Sequence, residues 1–88
     1  MGKLDYYILT TDYWRKDGTY VIAAYGIRID QFDESGSEVI ESCGVRDITF
    51  SEEEVIALAQ ALADGAVTPV SLLDIVQDYI EHKADFGL

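Results

Sequence analysis

One cysteine, one proline, one histidine and only six basic residues occur among the 88 of this chain. Each scarcity removes a class of mechanism. With Cys43 alone, neither an intramolecular disulfide nor an all-cysteine metal site can form, and a reducing compartment fits. Six Lys and Arg against seventeen Asp and Glu leave a net charge of -11. Phosphate backbones are held largely by Lys and Arg, so direct nucleic-acid binding is disfavoured. No apolar run reaches the ~18 residues of a membrane span. The first twenty residues have neither the basic start nor the apolar stretch of a signal peptide. A cytoplasmic location without a membrane partner is therefore expected.

Nucleophilic catalysis would have to join Cys43 to His82, the only thiol and the only imidazole. Nothing in their positions brings them together, and a reactive thiol needs an electropositive setting that so acidic a chain hardly offers. Asp74, Asp78 and His82 share one face of a helix by their spacing of four. A solvated helix face explains that stripe, because a dedicated metal site draws ligands from more than one element. The segment Asp30 to Glu41 fails as a calcium loop: with Gly36 at the sixth position, Gln31 falls first and Ser42 twelfth, where Asp and Glu are required. Gly26 and Gly36 are isolated, with no Gly-rich run leading into a helix to cradle phosphate. The sequence thus assigns no catalytic residue, metal or cofactor, and a non-enzymatic protein is expected.

What is present describes one small domain over 1–88. Hydrophobic residues make up 49% of the chain and charged ones 26%, which suits a folded core better than disorder. A chain of this size buries roughly 60 to 65% of its unfolded surface. Leu4 to Trp14 and Tyr20 to Phe32 are rich in Tyr, Ile, Leu and Val and read as strands, the second of them central. Between them Asp17-Gly18 fits a two-residue type I′ turn. That turn sets Trp14 opposite Val21, Ile8 opposite Ile27 and Tyr6 opposite Ile29. One face then collects Tyr6, Ile8, Trp14, Val21, Tyr25, Ile27 and Ile29 as the core side. Asp12 interrupts this face, which predicts a bulge or break near Thr10 to Asp12. Gly26 inside a strand predicts a bulge, a bend or the close approach of another backbone, such as the helical layer.

The opposite face carries Tyr7, Leu9, Tyr13, Tyr20 and Ile22 and is still apolar. Either tyrosines simply decorate an exposed sheet, or a partner subunit or ligand covers part of this face. It is the candidate interaction face, and a homodimer is the simplest way to cover it. Further on, Asp33-Glu34-Ser35-Gly36 fits a four-residue loop with Gly36 left-handed. It aligns Ile29 with Ile40 and Arg28 with Glu41, and the third strand, about Ser37 to Val45, points Ile40 inward.

After Ile48 the apolar period lengthens to that of a helix. Ser51 and Glu54 form a capping box, Phe50 and Val55 a hydrophobic staple, and Gly65 a left-handed cap, so one helix should span Glu52 to Asp64. Thr68-Pro69 starts a second helix, to about His82, that buries Leu72, Leu73, Ile75, Val76, Tyr79 and Ile80. Residues Ala84 to Leu88 are expected to fray. The fold class is α+β: a three-stranded antiparallel meander, then a two-helix hairpin packed on one sheet face, in the order βββαα.

Three blocks, Tyr25-Gly26-Ile27-Arg28-Ile29, Val45-Arg46-Asp47-Ile48-Thr49 and the run Val67 to Ile80, in that order resemble a small uncharacterised domain family of Firmicutes, clostridial-type bacteria. The resemblance covers about Tyr25 to Glu81. It implies a bacterial cytoplasmic setting and supplies no catalytic residues. Two functions from different classes follow: an interaction or regulatory module for an unknown protein partner, or an acidic inhibitor that mimics nucleic acid in the basic groove of an enzyme.

Overall fold

A computed structural model describes residues 2–85, with side chains as far as His82. Three strands form one antiparallel sheet in the order β1 (Leu4–Trp14), β2 (Tyr20–Phe32), β3 (Val39–Thr49). Two helices follow, α1 (Glu52–Asp64) and α2 (Pro69–Asp85). The βββαα architecture is the expected one. α1 lies over β1 and β2, whereas α2 lies mainly over β3.

The first hairpin reaches its expected register by an unexpected route. The Arg15 amide donates to the Thr19 carbonyl at 2.8 Å, the Gly18 amide donates to the Arg15 carbonyl, and only Gly18 has a positive φ, +90°. Three residues, Lys16 to Gly18, therefore make the loop, rather than the two of a type I′ turn. The extra residue is offset at once by a bulge: Trp14 pairs with Tyr20 and Tyr13 with Ile22, leaving Val21 without a partner. The two offsets cancel, so Ile8 faces Ile27 and Tyr6 faces Ile29 as the sequence predicts. The bulge lies beside the turn it compensates, not at Thr10 to Asp12. Asp12 pairs regularly with Ala23 and is exposed, because the helices do not reach that end of the sheet.

The core gathers Ile27, Ile29 and Ile48 from the sheet with Val55, Leu62, Leu72 and Val76 from the helices. Tyr6 and Tyr25 pack against it, and the Tyr6 hydroxyl donates to the Val67 carbonyl at 2.9 Å, tying β1 to the connection between the helices. Ile8, Trp14 and Val21, expected inside, are exposed. Alternation identifies a face of a strand. It does not say how far along that face the covering layer extends.

The second hairpin departs further. The Asp33 amide donates to the Glu38 carbonyl at 2.9 Å, and the Asp33 carboxylate accepts from the Ser37 amide at 3.1 Å and the Ser35 hydroxyl at 2.7 Å. These bonds hold the chain in a loop through Glu38, with Gly36 left-handed at φ +76° as expected. Pairing starts at Phe32 with Val39, and a bulge at Ile40 then sets Gln31 opposite Glu41, so Ile29 faces Cys43 and Arg28 faces Gly44. Relative to the expected pairing the register moves by an odd number of residues, and the faces exchange. Cys43 packs against the core, while Ile40 falls at a bulge and is 60% exposed. A second irregularity sits at Gly26: Tyr25 pairs with Thr49 and Ile27 with Val45, so Arg46, Asp47 and Ile48 share the space opposite one glycine. Asp47 takes the kink at φ +56°.

α1 has the predicted bounds. The Ser51 hydroxyl accepts from the Glu54 amide at 3.2 Å, as the capping box requires. Thr49 adds a relay: its hydroxyl accepts from the Ser51 amide and donates to Glu54 at 2.7 Å. Of the two residues of the expected staple, Val55 is fully buried and Phe50 is 65% exposed. At the other end the Val67 amide donates to the Leu62 carbonyl and the Ala66 amide to that of Ala63, the two bonds of a Schellman cap. The left-handed residue of that cap is Ala66, at φ +50°, and not Gly65, at φ -86°. Exchanging the two, Gly65→Ala with Ala66→Gly, puts glycine where the backbone favours it and is expected to stabilise by about 1 kcal/mol in urea denaturation. A loss of stability would show that Ala66 is not the cap.

α2 buries Leu72 and Val76, with Ile75 and Tyr79 half-buried. Leu73 and Ile80, expected in the same stripe, are exposed, because a helix lying on a flat sheet covers a narrower arc than its apolar residues occupy. The helix continues to Asp85, past the expected end, and the rest of the expected frayed tail, 86–88, lies outside the described residues.

Candidate functional site

Among the described residues no helix lies on the other sheet face. Tyr7, Leu9, Tyr13 and Ile22 lie on it, as odd positions of β1 and even positions of β2. Tyr20 does not join them. The bulge at Val21 pairs Tyr20 with Trp14, and their rings meet edge-on at 5.0 Å, on the side of Asp12 and Tyr25. Val21 takes its place: Tyr13, Val21, Ile22, Asp47 and Phe50 line one open groove of about 340 Å³. The Tyr13 hydroxyl donates to the Asp47 carboxylate at 2.5 Å, which raises the phenol above its ordinary range. Val21, Asp47 and Phe50 are members that sequence reasoning missed. The signal for Val21 is a bulge and for Asp47 a kink, both visible only once the strands are paired.

The other half of this face is polar and internally satisfied. Arg28 donates through Nε and Nη2 to the two oxygens of Asp30 at 2.8 and 3.0 Å, and the Ser42 hydroxyl donates to the same carboxylate at 2.6 Å. Asp30 is only 4% exposed, and these bonds, that from Arg28 first, hold its pKa below the ordinary carboxylate value despite burial. The Arg28 guanidinium lies 5.8 Å from the centre of the Tyr7 ring, a cation–π arrangement. Arg28 thus pairs within its own strand and not across to Glu41. Among the described residues no buried side-chain nitrogen or oxygen lacks a hydrogen-bond partner.

Groups with potential chemistry elsewhere are placed as follows. Cys43 is half-buried opposite Ile29 and packs against the core. Asp74, Asp78 and His82 are exposed along α2, and among the described residues no group of three His, Cys, Asp or Glu side chains could hold a metal ion. Glu54 joins three elements, accepting from Thr49 of β3 and, through its other oxygen, from the Tyr79 hydroxyl of α2. Burial and then that bond push the Tyr79 pKa up to about 12. This network braces α1, α2 and β3 against one another. Among the described residues no helix is long and apolar enough to cross a membrane.

The sequence profile of a family of unknown function, DUF6514, matches residues 1–82. The chain belongs to DUF6514. The match takes in β1 as well as the blocks between Tyr25 and Glu81, so both strands of the open hairpin fall within the DUF6514 domain. No curated protein and no solved structure matches the chain.

Proposed function

We propose that this chain is a non-enzymatic interaction module of the bacterial cytoplasm that binds protein through its open sheet face. One observation carries the reading: Tyr13, Val21, Ile22 and Phe50 are all exposed and all line one groove. Single exposed apolar side chains are ordinary, whereas a cluster that would lose its water on contact marks an interface. Tyrosine suits such a place, with an apolar ring for the centre and a hydroxyl for the wet rim. The polar half, with its ion pair already satisfied, offers a rigid border rather than a reactive group.

A second copy of the chain is the occupant with the fewest requirements, since symmetric pairing is the commonest assembly. A charge of -11 on each copy opposes it, so the dimer tightens as salt screens the repulsion. Sedimentation at low and high salt, at a protein concentration on the order of tens of micromolar, tests this. Association that strengthens with salt and is lost in Tyr13→Glu is expected. A monomer under both conditions removes the dimer. The acidic-mimic reading requires the reverse salt response: attraction to a basic groove weakens on screening, and capture from native lysate at the two salts separates the two.

A further inference from the structure

One apolar line and a second, apolar but for Gln77, run along α2. The core line, Leu72, Ile75, Val76 and Tyr79, is turned to the sheet. The other consists of Val70, Leu73, Gln77 and Ile80, all exposed, with Val70 at 68% and Leu73 at 58%. Steps of three, four and three residues make the a/d pattern of a helix-packing seam, which lies about 120° round the helix from the core line. A helix that packs only on its own sheet needs one stripe; this one has two. Beside the second stripe, where α2 overhangs the edge strand β3, is a groove of about 420 Å³ lined by Val45, Leu73, Val76, Gln77, Ile80 and Glu81.

The charges beside the seam select the occupant. Asp74 and Glu81 follow Leu73 and Ile80 directly, Asp78 follows Gln77, and all three are exposed. No Lys or Arg lies between Val70 and Glu81. A second copy would set these carboxylates against their equals, on top of the repulsion between two chains of -11. We infer that the groove binds an amphipathic helix of a partner protein, with an apolar ridge laid along Val70, Leu73 and Ile80 and with Lys or Arg facing Asp74 and Glu81. This is the helix-in-groove mode of recognition. Gln77, polar in mid-seam, fixes the register, as a single polar residue does in a coiled coil. The seam is about 15 Å long, so about three turns of partner helix fill it. The surface lies in the helical layer and is independent of the open sheet face.

The test is a titration of isotope-labelled full-length protein, followed by NMR, with a synthetic amphipathic helix that has a leucine ridge flanked by lysines. Shift changes centred on Val45, Leu73, Val76 and Ile80, weakening with salt, are expected. Leu73→Asp should lower the affinity at least about tenfold, as for a central interface anchor. Because Leu73 is exposed, the variant keeps its fold, which its own spectrum verifies. Tyr13→Glu on the sheet face should leave the affinity unchanged, and a peptide with glutamates in place of the lysines should not bind. The inference is overturned by shifts spread over the whole acidic surface or centred on the sheet groove, by binding that survives Leu73→Asp, or by no binding at about 1 mM peptide. A homodimer that Leu73→Asp dissociates would overturn it in favour of a second copy.

Discussion

Gly26→Ala is expected to cost more than about 3 kcal/mol and to leave the protein largely unfolded in mild urea. A Cβ at that position would lie 2.1 Å from the Val45 carbonyl oxygen and 2.8 Å from the Arg46 Cα. Both are backbone atoms of β3, held by pairing on one side of the kink and by Thr49 on the other. They cannot swing aside as the end of a side chain can, so the strands must part or the kink must be rebuilt. A domain of this length has about 4 to 13 kcal/mol in all, and the loss takes a large share of it. Gly44→Ala is the control. Its Cβ would meet Leu9 and Arg28 side-chain atoms at 3.6 Å, ordinary contact, and the expected change is below about 0.5 kcal/mol. If the two alanine variants melt alike, β3 does not cross Gly26 as described.

Leu72→Ala is expected to cost about 3 to 4 kcal/mol, and Leu73→Ala, its neighbour, less than about 0.5 kcal/mol. Leu72 is fully buried against the sheet with Val55 and Val76, and truncation there opens a cavity among side chains that cannot collapse freely. Leu73 is 58% exposed at the open groove beside β3, so its truncation leaves no closed cavity. Urea denaturation of the two variants decides whether α2 has the described rotation about its axis. Equal losses would mean that both leucines face the sheet.

This pair also shows what could be read from the sequence. Both leucines belong to the apolar arc of the helix, and periodicity finds the arc; the width of the surface it meets belongs to the sheet. Features fixed within a few residues were legible: the bounds of α1, proline at the start of α2, the left-handed Gly36. The Schellman cap was legible in kind but one residue off, because Ala66 accepts a backbone angle that composition assigns to Gly65. Features that depend on where a loop closes were not. Asp33 holds the second hairpin open through Glu38, which moves the pairing by two residues, and the bulge at Ile40 adds the third that turns Ile40 out and Cys43 in. At the candidate site, Tyr7, Leu9, Tyr13 and Ile22 were correctly grouped by alternation, and Tyr20 was lost from the group by a single unpaired residue. Gly26 was legible as a crowded point. The backbone that crowds it belongs to β3, a partner that only the kink at Asp47 reveals.

Trp14, the one tryptophan, stands at the end of the first hairpin, beyond the reach of the helices and 61% exposed. Its indole is wet in the native protein and wet again in the unfolded chain. The wavelength of its fluorescence is therefore a poor witness to melting of the core, which lies under Ile27 and Ile29. Anything that settles over the hairpin end, in contrast, strips water from the ring and moves the emission to the blue. The chain carries an optical label on its own surface, silent about its folding and responsive to its company.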